Sequence, residues 1–185
     1  MSTSPTAAKA RPGWFARLTG KARERDRLLP LYRAMVAVAR DPFWYREGQV
    51  PDTIDGRFDM VAAVTALVLL RLERIGDDAA RRDSVLLTEL FIADMDESLL
   101  EIGIGDYSVG KHVGRMVGAL GGRLTAFREA HQQGEFAPAV RRNIFHEAPP
   151  SEEVLERVTR RMQAFDKALD ACAHSLLLEG RLPKP

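Results

Sequence analysis

Met60-Val-Ala-Ala-Val-Thr-Ala-Leu-Val-Leu-Leu70 is an eleven-residue apolar stretch interrupted only by Thr65. It is about half the ~20 residues that a membrane-spanning helix needs. Its side chains are apolar at every position of the helical cycle. A helix with no polar face is buried on all sides by other elements. The stretch therefore predicts a central helix from Phe58 to Ile75, started by Asp55 or Thr53 as N-cap and closed by Gly76.

The elements that must surround it also read as helices. Upstream, Leu28, Leu31, Tyr32, Met35, Val38 and Ala39 recur at helical spacing. Pro42 stops that run near Arg40, because the residue before a proline avoids the helical region. Residues 41–57 carry Pro42, Gly48, Pro51 and Gly56 and predict a loop, with Phe43-Trp44-Tyr45 folded back onto the core. Downstream, a helix starting near Asp78 or Ser84 and ending at Ile102 places Leu87, Leu90, Phe91, Met95 and Leu99 on one face. Gly103 and Gly105 make the turn after it. Ser108 is the candidate cap of a helix reaching about Ala130, and a shorter helix covers Ala137–Phe145. Ser151 caps a long final helix with Glu152 and Glu153 at its positive end. Leu155, Val158, Met162, Phe165, Leu169, Cys172 and Leu176 form a heptad seam along it, suited to bundle packing or to an intermolecular coiled coil. Strand-length alternation is nearly absent. The reading is all-α: a single-domain helical bundle of six or seven helices, over residues 28–185, preceded by a flexible basic tail, residues 1–27.

Net charge separates these parts. The chain of 185 residues totals +1, which argues against specific nucleic-acid binding. Residues 1–27 hold seven basic and two acidic groups, whereas residues 28–185 hold 20 and 24. Trp14, Phe15 and Leu18 lie among Arg17, Lys21 and Arg23, a pattern suited either to an anionic membrane surface or to a solvated chain end. These basics leave no apolar core for a secretory signal. The single cysteine, Cys172, excludes an internal disulfide and fits a reducing compartment.

Motifs that would carry catalysis are missing. His112, His131, His146 and His174 share no metal-ligand spacing, and no Ser or Cys stands in a nucleophile motif. Gly105-Asp-Tyr-Ser-Val-Gly110-Lys111 matches half of a phosphate-binding loop, but His112 replaces the Ser or Thr that holds Mg²⁺, and a helix precedes it. No enzyme, cofactor or metal is expected. Three other groupings bear on binding. Gly110, Gly114, Gly118 and Gly122 repeat every four residues, which allows either tight internal packing or a groove receiving a client helix. Nine acids and two arginines between Asp77 and Asp106 make either a solvated face or a docking surface for a basic partner. Asp52, Asp55, Arg57 and Asp59 are either caps and an ion pair or part of a recognition surface with the aromatic trio.

Three stretches together resemble one family: Asp41-Pro-Phe-Trp-Tyr45; Val50-Pro-Asp-Thr-Ile-Asp-Gly-Arg-Phe-Asp59; and Asp94-Met-Asp-Glu-Ser-Leu-Leu-Glu-Ile-Gly-Ile-Gly-Asp-Tyr-Ser-Val-Gly-Lys111. They are similar to the ubiquinol–cytochrome c chaperone family, most clearly over residues 28–130. The resemblance implies a non-enzymatic assembly chaperone that binds newly synthesised cytochrome b and assists biogenesis of the cytochrome bc1 complex. It also implies contact with the ribosome near its exit tunnel and with a small helper protein. The alternative is a ribosome-associated or scaffold adaptor docking through its acidic face. Within the matching motifs, Phe43, Trp44, Tyr45, Asp52, Arg57, Asp94, Asp96, Glu101, Asp106 and Lys111 are taken as client- or partner-binding. Gly110, Gly114, Gly118 and Gly122 are taken as the groove. A bacterial member would be cytoplasmic and peripheral to the inner membrane, and a eukaryotic one would lie in the mitochondrial matrix.

Overall fold

A computed structural model describes residues 14–101, 109–146 and 150–184. The helices are α1 (Trp14–Ala39), α2 (Pro42–Arg46), α3 (Ile54–Ile75), α4 (Asp78–Glu101), α5 (Val109–Gln133), α6 (Ala137–Ile144), α7 (Glu152–Asp170) and α8 (His174–Leu178). Six of them have eight residues or more, and α2 and α8 have five each. No strand occurs among the described residues.

The apolar stretch sits where its composition requires. Every residue from Asp59 to Leu70 is buried, and α1, α4, α5, α6 and α7 all pack against α3. Thr53 is the cap: its Oγ1 accepts from the Gly56 N–H at 3.1 Å. Gly76 ends the helix with φ 74°, a left-handed conformation that glycine adopts without penalty. α4 begins on Asp77, whose carboxylate accepts from the Ala80 N–H at 2.7 Å.

The surrounding helices are fixed on three buried aspartates. Asp83, 0% exposed, takes Arg27 of α1 and His174 of α8, the latter at 2.9 Å. Asp166 of α7 takes Arg74 of α3 at 3.1 Å and His131 of α5 at 2.6 Å. Asp59 of α3 takes Arg123 of α5, with His146 at 3.5 Å. Arg123 also donates to the Asn143 carbonyl of α6 at 3.0 Å. Its burial lowers its affinity for the proton, and Asp59 counters that. Each carboxylate thus gathers one arginine and one histidine, and each pairing crosses between elements.

Two elements depart from the sequence reading. The loop expected over residues 41–57 begins as a helix, because Asp41 accepts from the Phe43 N–H at 2.9 Å and Pro42 supplies a ready first turn. The heptad seam does not run unbroken to Leu176. α7 stops at Asp170, and the chain turns so that His174 reaches Asp83 and the Cys172 carbonyl reaches Arg71 at 2.9 Å. As a result Leu177 is fully buried while Leu176 is 36% exposed. The upstream seam, Leu155 to Leu169, is buried within the chain, so it serves bundle packing. α1 is continuous across residues 27 and 28, where composition changes, and Arg27 is anchored on Asp83.

Two outcomes test this packing. A Cβ on Gly56 would lie 2.0 Å from the Pro51 carbonyl oxygen. Gly56→Ala is expected to destabilise the fold by about 2–4 kcal/mol, read from the urea midpoint. Thr65 is fully buried, and its Oγ1 has no hydrogen-bond partner among the described residues. Thr65→Val keeps the shape and removes the stranded hydroxyl, so it is expected to stabilise by about 1 kcal/mol in the same assay.

Candidate functional site

α1 ends in four carbonyls without intrahelical partners, and the aromatic trio answers two of them. Trp44 Nε1 donates to the Val38 carbonyl at 2.8 Å, and the Tyr45 hydroxyl donates to the Ala39 carbonyl at 2.9 Å. Phe43 meets Trp44 edge-on at 5.4 Å. Arg161 of α7 lays its guanidinium 3.8 Å from the Phe43 ring centre and reaches Asp41 at 3.3 Å. Trp44 is 0% exposed. The trio therefore builds the corner joining α1, α2 and α7, and Trp44 presents no surface to a partner in this conformation.

Outside that corner lies a cleft of about 390 Å³, lined by Arg40, Pro42, Tyr45, Arg46, Asp52 and Arg57. It unites three of the expected residues, Tyr45, Asp52 and Arg57. Arg57 Nε donates to Asp52 at 2.6 Å, which pulls the Asp52 carboxyl below its ordinary range and raises Arg57. Burial raises the Tyr45 phenol, whose ring walls the cleft. Arg40 and Arg46 escaped the sequence reading. The signal available was their position, flanking the Phe43-Trp44-Tyr45 group within a few residues.

The acidic stretch does not form one open face. Asp77 caps α4, Asp83 is buried, and Asp78 pairs with Arg81 at 3.1 Å. Asp94 accepts from the Tyr32 hydroxyl at 2.7 Å, and burial together with this bond raises the Tyr32 phenol strongly. Asp96 is partly exposed on the same helix. Asp94 and Asp96 are thus remote in role from the arginine cleft: one holds α1 to α4, the other faces outward. Asp106 lies outside the described residues, as do the side chains of Glu101 and Lys111 and the surroundings of Gly110. The phosphate-loop-like segment falls there as well. Among the described residues, no group of three or more His, Cys, Asp or Glu is placed to hold a metal ion.

α5 separates its two faces cleanly. Met116, Leu120, Arg123, Phe127 and Ala130 point into the core. Gly114, Gly118 and Gly121 are exposed on the opposite side, and Gly122 is at its margin. A Cβ at any of these four would meet nothing within 4 Å. Among the described residues, nothing packs closely against these positions. Val117, 47% exposed, lies among them. No described helix is long and apolar enough to cross a membrane.

The geometry is that of a rigid helical body with an arginine cleft at one corner and a smooth, small-residue helix face left open. The family model described as ubiquinol–cytochrome C chaperone matches residues 46–183. No curated protein matches the sequence. The chain is similar to the crystal structure of the Cbp3 homolog from Brucella abortus, with 26% identity, a TM-score of 0.76, and coverage of 92% of this chain and 96% of that one. With three-quarters of its length accounted for by that model, the chain belongs to the ubiquinol–cytochrome c chaperone family.

Proposed function

We propose that the protein is a non-enzymatic assembly chaperone that holds newly synthesised cytochrome b during biogenesis of the cytochrome bc1 complex, and that the open face of α5 is the seat for the client. Family membership supports the assembly role. The observation that carries the seat is the set of four glycines on α5 that no described residue packs against.

Each glycine in a helix interior costs on the order of 1 kcal/mol relative to alanine. Glycines that let two segments of the same chain approach would recover that cost internally. Gly114, Gly118, Gly121 and Gly122 recover none of it within the described chain. A face without side chains lets a second helix come close enough for its backbone to make van der Waals contact, as small-residue faces do between membrane helices. Cytochrome b is a bundle of such helices, and before assembly they lack their neighbours. Val117 gives the face one apolar contact in its middle. The work takes place at the membrane surface, on the cytoplasmic side in a bacterium, and a basic, aromatic-bearing segment such as residues 14–23 suits that position.

Alanine substitutions separate stability from function. Gly118→Ala and Gly121→Ala have room for the added methyl and an ordinary helical backbone, so each is expected to stabilise the isolated protein by roughly 0.5–1 kcal/mol. If α5 seats the client, the more stable double variant nonetheless recovers less newly made cytochrome b by pull-down and supports less assembled bc1 complex. A bulkier Gly118→Leu should abolish recovery while leaving thermal unfolding cooperative. Unchanged recovery with both the double variant and Gly118→Leu overturns the seat. Normal bc1 levels in a strain lacking the gene overturn the chaperone reading itself.

A further inference from the structure

Three element ends converge on the arginine cleft. Arg40 follows the end of α1, Arg46 is the last residue of α2, and Arg57 stands in the first turn of α3. All three are exposed, and against them the cleft sets a single carboxylate, Asp52. Asp52 is engaged on Arg57 Nε. The side chains of Arg40 and Arg46 have no hydrogen bond or ion pair among the described residues. The cleft thus carries an excess of two positive charges, on the side chains that hold carboxylates best. Guanidinium groups present planar, paired donors that fit carboxylates bidentately.

We infer that this cleft docks an acidic peptide segment of a partner protein, with two of its carboxylates taken by Arg40 and Arg46. The charge complementarity is specific in kind. Asp52 already shows a carboxylate accommodated in the cleft, at 2.6 Å from Arg57. Its negative charge disfavours a compact dianion such as phosphate more than it disfavours carboxylates spread along a chain. Ile54, 56% exposed, lies on the same side of α3 as Arg57, one turn before it. An apolar side chain beside two arginines suits a polypeptide, which brings carboxylates and apolar groups together. The corner beneath is rigid, because Trp44 and Tyr45 are both hydrogen-bonded to the end of α1. Little ordering cost then falls on the protein when the segment binds. This inference rests on the cleft alone and is independent of the seat proposed on α5.

The test uses the full chain and a fluorescein-labelled hexaglutamate peptide, followed by fluorescence anisotropy at low salt. Saturable binding is expected. Arg40→Gln with Arg46→Gln should weaken it by about tenfold or more, since two desolvating charged contacts are lost. Asp52→Asn, which removes the resident carboxylate, should tighten it. Arg160→Gln with Arg181→Gln, two exposed arginines outside the cleft, and Asp78→Asn, an exposed aspartate of α4, make the same changes in net charge and should do neither. Circular dichroism melts of all variants should match the parent, because none of these side chains is buried. Equal effects from the cleft and control variants would reduce the binding to general electrostatics and overturn the proposal. So would equal competition by inorganic phosphate at matched ionic strength. Binding to phosphatidylglycerol vesicles that depends on Arg40 and Arg46, with no peptide binding, would overturn it in favour of a lipid headgroup.

Discussion

A helix that is apolar on every face cannot reach water anywhere along its length, and α3 imposes that condition on the whole chain. Its residues from Asp59 to Leu70 are all buried, so the remaining helices must close round it without a gap. α1, α4, α5, α6 and α7 all pack on it, and α1 with α4, α4 with α5, α5 with α6 and α6 with α7 close on one another around it. Surface helices can leave their polar side in solvent; α3 has none. The hydrophobic term sets this arrangement, because it acts on every neighbour at once. It does not by itself choose the angular setting of each neighbour, since any sufficiently apolar stripe would serve as cover.

Polar groups make that choice. Asp59, Asp83 and Asp166 each sit below the surface and each collect one arginine and one histidine from other elements. Burying such charges costs desolvation energy that their mutual attraction offsets only when the geometry is right. A neighbouring helix set in the wrong rotation would strand a carboxylate in the core. The penalty therefore falls on wrong arrangements more than the gain falls on the right one. Three of the four histidines of the chain are used this way, which explains why no metal-ligand spacing was found for them. Their spacing is set by where three aspartates lie in the folded bundle.

The sequence made the apolar stripes legible, and with them the all-α class, the central helix, the Thr53 and Ser151 caps and the glycine stop at Gly76. These are local signals, in which the residues that decide are within a few positions of the element they decide. What it did not disclose was set by distant partners. The break between α7 and α8 interrupts a sound heptad pattern because His174 and the Cys172 carbonyl are drawn to Asp83 and Arg71, about ninety to a hundred residues away in sequence. Folding of the aromatic trio back onto the core was legible, but its partners there were not, for the same reason. Only in the fold does Trp44 find the Val38 carbonyl and Arg161 find the Phe43 ring. Tyr45, Asp52 and Arg57 did come together, but the cleft owes its excess charge to Arg40, just past the end of α1, and to Arg46, beside Tyr45 at the end of α2.

Consistency between local preference and global fold is what makes a sequence fold, and places where the two disagree without an internal reason are informative. Gly56 breaks helix propensity at the start of α3, and the Pro51 carbonyl against it supplies the reason. Asp83 breaks the rule against buried charge, and Arg27 with His174 supplies the reason. The glycines of α5 break helix propensity four times on one face, and nothing in the described chain supplies a reason. The inner face of the same helix is built for the core: Met116, Leu120, Phe127 and Ala130 fill it, and the terminal nitrogens of Arg123 are held by Asp59 and the Asn143 and Ala119 carbonyls. The fully buried residues of α5 all lie on that side. The outer side carries the four glycines that no described residue packs against, which is why the client seat is proposed there and not on the inner face.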